Sequence, residues 1–185
     1  MIAIEGVDKS GKSTLTEALS IRYEVPTYHW GVPLPGSNHV NDAIEHMKTA
    51  DLSTVYDRLG ISGLTYDFLD KNNEERQMTT WNDVERLYRV FGQLHLGSRK
   101  RGCLIFVTAD KETLQERFEE EGDSNDYVNL RELIAIKNYY DALRHLIGYA
   151  KPSCFENVDI LTYNSTHQTL ERFIETYDWK QYLQI

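Results

Sequence analysis

Short apolar runs alternate with segments of helical periodicity along this 185-residue chain. The first apolar run, Ile2 to Glu5, leads through a glycine-containing loop directly into the helix-like segment Lys12 to Tyr23. A continuous apolar run, Cys103 to Thr108, is typical of a strand that is covered on both faces. A helical pattern over Lys111 to Glu120 follows it. These segments predict strands and helices in regular alternation.

The rest of the chain continues this alternation. Further strands are predicted over Pro26 to Trp30, Leu52 to Tyr56 and Asp159 to Tyr163. Further helices are predicted over Val40 to Thr49, Leu59 to Leu69, Trp81 to Leu96, Arg131 to Ile147 and Gln168 to Tyr177. Strands that alternate with helices imply a parallel sheet with helices on both faces, joined by right-handed crossovers. We therefore predict an α/β fold that forms a single domain over residues 1–185.

The loop after the first predicted strand carries a phosphate-binding pattern. Gly6 to Ser13 fits G-x-x-x-x-G-K-[ST] without a mismatch, between a strand and a helix. Backbone N–H groups and the helix N-terminus would surround the phosphates, while Lys12 reaches the β and γ phosphates and Ser13 offers a hydroxyl to magnesium. The complete spacing favours this interpretation over a glycine-rich turn with an exposed lysine. It predicts an ATP and Mg²⁺ site in a phosphotransferase, formed by Gly6, Asp8, Lys9, Ser10, Gly11, Lys12, Ser13 and Thr14.

Two charged residues follow the strand predicted at Leu52 to Tyr56. Because Asp57 and Arg58 come directly after that strand, both should lie at the carboxyl edge of the sheet and face the phosphate loop. A carboxylate there can hold a magnesium-bound water or accept a proton from the acceptor, and the arginine fork suits a phosphate. The alternative is a surface ion pair that begins a helix. The neighbouring phosphate loop favours a functional pair.

The net charge of the chain disfavours a nucleic-acid partner. Lys and Arg total 20 against 29 Asp and Glu, which gives a net charge of −9. Such a chain repels a nucleic-acid backbone, so a polynucleotide substrate is disfavoured. The one basic run, Arg99 to Arg101, is expected to be an exposed helix C-terminus.

Membrane and metal-thiolate roles are also disfavoured. No apolar run approaches the ~20 residues that span a bilayer, so no membrane partner is expected. The segment Met1 to Glu5 lacks the charged start of a secretory signal, which predicts a cytoplasmic chain. Cys103 and Cys154 have no His or Cys at metal-ligand spacing, and we expect both to be reduced packing residues.

Two segments resemble the thymidylate kinase family, one of the P-loop nucleoside and nucleotide kinases. Ile4 to Thr14 is similar to the family pattern F-E-G-x-D-x-x-G-K-S-T. Asp57 to Tyr66 is similar to D-R-Y-x-x-S-G-x-A-[FYQ]. The resemblance implies a three-layer P-loop kinase fold with a small lid, ATP with Mg²⁺ as cofactors, and a homodimer.

The resemblance also implies residue roles. Asp8 would contact the sugar or phosphate of the acceptor, Asp57 would serve the metal, and Arg58 would bind the transferred or acceptor phosphate. Ser62 and Tyr66 would line the acceptor pocket. Transfer would then depend on Lys12, Asp57 and Arg58.

Two further roles follow from the family likeness. Lys9 occupies the P-loop place where eukaryotic-type members carry a catalytic basic residue, and a solvated loop lysine is the alternative. A looser likeness around Leu114 to Gly122 implies a lid at about 117–128, with Arg117 stacked on the adenine of ATP. Bacterial relatives place several arginines in this lid, whereas Glu119 to Asp123 is acidic.

The segment between Trp30 and Asp57 departs from the family. It contains no arginine, although family members have a phosphate-binding arginine after the second strand and an aromatic-plus-arginine helix that holds thymine. Base recognition would therefore need other residues. Trp30, Trp81, Tyr88 and Arg89 are candidates, and core packing is the alternative for the aromatic ones.

These observations favour a nucleoside-monophosphate kinase with dTMP as its acceptor. A nucleoside kinase is the nearest alternative, and Glu5 would then be the base that takes a proton from the sugar hydroxyl. A nucleotide-operated switch is a third reading. Guanine-nucleotide switches usually carry N-K-x-D, and Asn72 is not followed by lysine and an acid in that order.

Overall fold

A parallel sheet forms the centre of the molecule. The structure is a computed structural model that describes residues 1–31, 39–67, 78–94, 100–121 and 128–183. Within these ranges the sheet has five strands in the order β2-β3-β1-β4-β5. They are Ile2–Glu5 (β1), Thr27–His29 (β2), Val55–Asp57 (β3), Gly102–Thr108 (β4) and Val158–Asn164 (β5).

Helices connect these strands. In the described ranges they are Lys12–Tyr23 (α1), His39–Thr49 (α2), Ile61–Tyr66 (α3), Trp81–Gln93 (α4), Lys111–Glu121 (α5), Leu130–Ala150 (α6) and Leu170–Thr176 (α7). Thr80 and Asp83 form a capping box at the start of α4, and Asn129 and Glu132 form another at the start of α6. Each box provides partners for N–H groups that a helix start leaves unbonded. The polar residues before these two helices therefore fix where they begin.

The strands bury side chains on both faces. On β1, Ala3 belongs to a core shared with α2, α4 and α6, whereas Ile2 and Ile4 belong to a second core shared with α1 and α7. Side chains alternate between the faces of a strand, so one short strand serves both cores. On β4, Leu104 lies in the first core and Ile105 in the second. The three-layer α/β fold and the burial of β4 on both faces are confirmed.

Three strands end at the edge where the phosphate loop begins. Ile4 of β1 lies beside Asp57 of β3, and Glu5 lies beside Phe106 of β4. The phosphate loop leaves β1, which lies between β3 and β4 in the sheet. The chain reaches β3 on one side of β1 first and β4 on the other side later. Ligands of open α/β sheets bind at such switch points, outside the carboxyl ends of the strands.

The basic run before β4 has a different role from the one expected. Helix α4 ends at Gln93, so neither Lys100 nor Arg101 caps it. Lys100 Nζ donates to the carbonyl of Lys180 at 2.9 Å, and Arg101 Nε pairs with Asp159 Oδ1 at 2.9 Å. The prediction that this run is a helix C-terminus is therefore wrong for Lys100 and Arg101. Lys100 connects the start of β4 to the C-terminal segment, and Arg101 connects it to β5.

Two other expectations concern cysteines and membranes. Cys103 and Cys154 are buried and unbridged, as predicted. No helix in the described ranges combines the length and apolar character needed to cross a membrane. Residues 122–127 of the predicted lid, Arg99, and the end of the helix predicted over Leu59 to Leu69 lie outside the described residues.

Candidate active site

Two positions of the phosphate loop require glycine, for different reasons. A Cβ atom at Gly6 would lie 2.2 Å from the carbonyl oxygen of Val107 on β4, so the loop starts in close contact with the neighbouring strand. Gly11 has a φ of 98°, in the left-handed region that side chains disfavour. The loop therefore follows β1 closely and turns sharply into α1, as the motif predicts.

A cleft of about 530 Å³ opens beside this loop. Its lining combines the loop with α5, the end of β5 and the residue that follows β5: Asp8, Lys9, Gly11, Lys12, Ser13, Thr14, Arg117, Tyr163 and Ser165. Ser10 is fully buried beneath the loop surface. Most residues predicted to bind ATP therefore share one cleft at the carboxyl edge of the sheet.

Lys12 is buried against the phosphate loop itself. Its side chain is only 5% exposed, and Nζ donates to the carbonyl of Val7 at 2.9 Å and lies 3.5 Å from Asp8 Oδ1. Burial and the positive charge of Arg58 lower the pKa of Lys12, and the carboxylate of Asp8 counteracts them. A desolvated cation close to a second cation is stabilised by an arriving polyanion. The positive charges of Lys12 and Arg58 therefore favour the binding of phosphate groups here.

Arg58, Asp8 and Tyr66 form one compact group beside Lys12. The guanidinium of Arg58 pairs with Asp8 Oδ1 and lies over the ring of Tyr66, with its central carbon 4.7 Å from the ring centroid. The hydroxyl of Tyr66 accepts a hydrogen bond from the backbone N–H of Asp8 at 3.0 Å. Burial alone would raise the pKa of Asp8, but Lys12 and Arg58 lower it below its ordinary value. Asp8 is therefore an ionised carboxylate held between two cations.

The backbone of Arg58 supports a special role for this position. Its φ is 72°, in the left-handed region, which costs a non-glycine residue of the order of 1–3 kcal/mol. Two of the other non-glycine residues with positive φ, Glu24 and Lys151, are ordinary helix C-caps. The remaining one is Lys9, in the phosphate loop. Among the described non-glycine residues, the left-handed positions outside helix C-caps are therefore Arg58 and Lys9, and both belong to this site.

Ser13 and Asp57 lie within hydrogen-bond distance of each other at the start of α1. Ser13 Oγ donates to Asp57 Oδ2 at 3.1 Å, and the Nδ1 atom of His29 lies 3.1 Å from the same oxygen. Asp57 is 5% exposed, and within the described residues its buried Oδ1 atom has no hydrogen-bond partner. An unpaired buried carboxylate oxygen is costly, and carboxylate and hydroxyl oxygens are ligands that Mg²⁺ prefers. These side chains fit a magnesium ion and its waters.

Glu5 has a structural position that the sequence did not reveal. Its fully buried carboxylate accepts hydrogen bonds from the N–H groups of Leu59, Ile61 and Ser62 at 2.7, 3.0 and 3.1 Å, and from Tyr140 Oη at 3.1 Å. Burial raises its pKa to about 7, although these hydrogen bonds favour the ionised form. Glu5 therefore fixes the corner between β3 and α3, and its oxygens are occupied by hydrogen bonds within the protein.

Ser62 also belongs to this corner. Its side chain is buried, and its backbone N–H is bound to Glu5. Ser62 and Tyr66 were predicted to line one acceptor pocket. In the structure Tyr66 is half-buried and directed to the phosphate end of the site, where it contacts Asp8 and Arg58.

Arg117 connects the phosphate loop to the segment after β5. Its Nη1 atom donates to the carbonyl of Lys9 at 2.7 Å and to Ser165 Oγ at 3.1 Å. Lys9 Nζ lies 5.6 Å from the centroid of the Phe118 ring, on the same helix as Arg117. The sequence did not single out Ser165, although its position just after a strand at the carboxyl edge is a usable signal.

The candidates for base recognition have separate surroundings. Tyr88 is fully buried and packs on Phe155, with the ring centroids 4.8 Å apart, so it is a core residue. Trp81 is half-buried on α4, Arg89 is exposed, and Trp30 packs in an aromatic group at the end of β2. Of these four residues, Tyr88 is too deeply buried to contact a base.

Solved structures share this architecture. No protein-family model and no curated protein matches the sequence. The YorR protein of Bacillus subtilis, solved in complex with phosphorylated GDP, matches with a TM-score of 0.68 and 16% identity over 95% of this chain and 91% of its own. Deoxyadenosine kinase from M. mycoides, solved with dCMP and dCDP, matches with a TM-score of 0.59 and 13% identity over 95% and 94%.

A third match is more distant. A gluconokinase from Sinorhizobium meliloti 1021 has a TM-score of 0.50 and 14% identity over 94% of this chain and 86% of its own. Identities this low show the fold and leave the substrate open. Over nearly its whole length, this chain has the fold of the P-loop kinases.

Proposed function

We propose that this chain is an ATP- and Mg²⁺-dependent kinase that phosphorylates a deoxynucleoside monophosphate, with dTMP as its acceptor. The observation that carries the proposal is the position of Arg58. Its guanidinium is held over Tyr66 and against Asp8, next to the phosphate loop. A planar guanidinium suits a phosphate oxygen pair, which a monophosphate has and a nucleoside lacks.

On the donor side, the cleft at the phosphate loop takes ATP. Lys12 turns from the carbonyl of Val7 towards the β and γ phosphates, where its charge counts most in the transition state. Ser13 and Asp57 hold the magnesium ion, which neutralises phosphate charge when bound. Lys9 and Arg117 line the same cleft and supply further positive charge. Arg117 also provides a surface on which adenine stacks.

On the acceptor side, Arg58 exchanges part of its contact with Asp8 for the acceptor phosphate. A phosphate oxygen of the acceptor attacks the γ-phosphorus of ATP in line with the bond to the β–γ bridging oxygen. That bond breaks, ADP leaves, and the acceptor becomes a diphosphate. Positioning and charge neutralisation account for the rate, because the attacking oxygen is already anionic and needs no base.

The surroundings of Glu5 favour this acceptor class. A nucleoside kinase must remove a proton from a sugar hydroxyl, and Glu5 was the base proposed from the sequence. Its carboxylate is fully buried and is occupied by three backbone N–H groups and one tyrosine hydroxyl. A monophosphate kinase needs no such group. The choice of dTMP among monophosphates rests on the resemblance of the segment Asp57 to Tyr66.

A deoxynucleoside kinase is the second candidate. Two observations favour it: a deoxyadenosine kinase is among the structures that share this fold, and residues 31–56 contain no arginine to bind a second phosphate. In this alternative, Asp57 would accept the proton of the 5′-hydroxyl and Arg58 would hold Asp8 in place.

An acceptor panel distinguishes the two candidates. The full chain is incubated with ATP and Mg²⁺ and with matched pairs of nucleoside and monophosphate for thymine, guanine, adenine and cytosine, and the products are separated by anion exchange. We expect dTDP from dTMP and no product from thymidine. Formation of dTMP from thymidine would replace the proposal with the second candidate. The absence of any transfer would reject a kinase of either kind.

A further inference from the structure

His29 lies beside the candidate magnesium site but has no part in the transfer described above. It is the last residue of β2 and the register partner of Asp57 in β3. Paired residues of neighbouring parallel strands direct their side chains to the same face of a sheet. The His29 side chain is 60% exposed, and its Nδ1 atom lies 3.1 Å from Asp57 Oδ2. An accessible imidazole nitrogen therefore borders the site.

The donor atoms around Asp57 have the spacing of ligands to one ion. Asp57 Oδ2 is 3.1 Å from Ser13 Oγ and 3.1 Å from His29 Nδ1. Two adjacent ligands of an octahedral ion, each at ~2.1 Å, lie about 3 Å apart. A second observation points to a ligand as well, because the buried Oδ1 atom of Asp57 has no partner within the described residues.

The surface that leads to this point attracts cations. His29, Ser13 and Asp57 line a cleft of about 450 Å³ on the α1 side of the sheet. The only other ionisable carboxylate of its lining within the described residues is Glu17 of α1. With two carboxylates and one imidazole, the cleft favours the entry of a positive ion.

We propose that His29 Nδ1 is a ligand of the divalent ion held by Ser13 and Asp57, and that it raises the affinity of this site for first-row transition ions relative to its affinity for Mg²⁺. The inference rests on the proposed function, because it takes this ion to be the one that accompanies ATP. Mg²⁺ takes oxygen ligands, whereas imidazole nitrogen binds transition ions such as Co²⁺ more strongly. A nitrogen ligand therefore strengthens the binding of transition ions without changing the phosphates that the site holds.

The test compares His29→Gln with His145→Gln. Glutamine keeps an oxygen ligand available for Mg²⁺ and removes the nitrogen. His145 is exposed on α6, lines a different cleft that contains no residue of the phosphate loop, and serves as the control. Each full-length protein is loaded with Mn²⁺ and a methylene-bridged ATP analogue and examined by pulsed EPR for ¹⁴N coupling. Affinities for Co²⁺ and Mg²⁺ are then measured by calorimetry in the presence of the same analogue.

We expect imidazole ¹⁴N coupling in the wild type and in His145→Gln, and its loss in His29→Gln. Co²⁺ affinity should fall about tenfold in His29→Gln, while Mg²⁺ affinity changes less than about twofold. If the wild type shows no imidazole coupling, His29 and Asp57 are an ordinary surface pair and the inference fails. It also fails if Co²⁺ and Mg²⁺ affinities fall equally, because His29 then only positions Asp57.

The inference and the proposed function fail in different ways. Asp57→Asn, measured in the same way, reports whether the ion is held at Asp57 at all. If Asp57→Asn weakens ion binding and His29→Gln does not, only the role of His29 is rejected. If Asp57→Asn leaves both affinities unchanged, the ion lies elsewhere, and both the magnesium site of the proposed kinase and the role of His29 are wrong.

Discussion

Ser13 Oγ donates a hydrogen bond to Asp57 Oδ2 at 3.1 Å, although the two residues are 44 positions apart in the chain. Ser13 stands at the start of α1, and Asp57 is the last residue of β3. The contact joins the helix that follows the phosphate loop to the strand beside β1. It brings a hydroxyl and a carboxylate to one point at the carboxyl edge of the sheet, where an ion bound to ATP would lie.

The first prediction concerns this pair. Ser13→Ala and Asp57→Asn should each raise the Mg²⁺ concentration required for half-maximal transfer by about 10- to 100-fold. Because both side chains bind one ion, the increase in this Mg²⁺ concentration in the double variant should be smaller than the product of the two single-variant increases. Magnesium titrations of the three variants measure this. Ser20→Ala is the control, since its hydroxyl is bonded to the carbonyl of Val25 within the same region. Unchanged magnesium dependence in both single variants would contradict the assignment.

The second prediction concerns Lys12. This side chain is only 5% exposed, so an alanine there leaves a cavity. Lys12→Met is the better comparison because it keeps most of the volume and removes the charge. We expect turnover to fall at least on the order of 10²- to 10³-fold, with the helical circular dichroism unchanged. Near wild-type turnover in this variant would show that the loop does not serve the transferred phosphate.

The third prediction concerns the buried carboxylate of Glu5. Its pKa is about 7 in the folded chain, above the ordinary value of 4.5 for a glutamate. The folded state therefore binds the proton more tightly, and the stability from Glu5 is complete below about pH 4.5 and is lost as the pH rises through 7. The loss amounts to roughly 3 kcal/mol of unfolding free energy.

Glu5→Gln provides the comparison. The variant should be less stable overall by about 1–3 kcal/mol, because an amide cannot accept from every N–H group that surrounds the carboxylate. Its unfolding free energy should also depend less on pH between about 4.5 and 7 than that of the wild type. Denaturant titrations at several pH values measure both effects. Parallel pH profiles for the two proteins would show that Glu5 does not titrate in this range.

The sequence predicted the central elements of the fold well. The predicted bounds of β1 and α1 are those of the structure, and β4 begins one residue before its predicted start. These elements carry continuous apolar runs or a complete motif, so local pattern alone defines them. The phosphate loop and the corner at Asp57 were placed correctly at one edge for the same reason, since parallel strands end together.

The parts that the sequence missed depend on long-range contacts. Tyr140 reaches Glu5 from 135 positions away, and no local pattern indicates that α6 passes this corner. The pairing of His29 with Asp57 depends on the order of β2 and β3 in the sheet, which alternation alone does not give. The contacts of Tyr66 with Asp8 and Arg58 were not predicted either, because helical spacing gives a face but not the direction in which that face points.

The fourth prediction separates two roles of Tyr66. Tyr66→Phe keeps the ring beneath Arg58 and removes only the hydroxyl that accepts from Asp8 N–H. It should cost about 1 kcal/mol of stability and leave the ratios of kcat/KM among dTMP, dUMP, dGMP and dAMP unchanged. Tyr66→Ala should change those ratios if the ring also touches the base. Discrimination of dTMP from dUMP should be about tenfold or less in the wild type, because one methyl group is worth about 1 kcal/mol.

Two outcomes for Tyr66 would contradict the proposal. If Tyr66→Ala leaves all four ratios unchanged, Tyr66 only positions Asp8 and Arg58, and the base lies elsewhere. If a purine monophosphate gives the highest kcat/KM, the choice of dTMP is wrong although a monophosphate kinase remains.

The most direct measurement is the ratio of kcat/KM for dTMP to kcat/KM for thymidine, in the wild type and in Arg58→Ala. If Arg58 binds the acceptor phosphate, the contact is worth roughly 1.5–3 kcal/mol, so the variant should lose about 10- to 150-fold in kcat/KM for dTMP. Arg172→Ala, which removes an exposed arginine of α7, should leave the ratio unchanged. We expect a wild-type ratio far above one, and we expect it to fall in Arg58→Ala. Equal activity on thymidine and dTMP in the wild type, or a ratio unaffected by loss of Arg58, would contradict it.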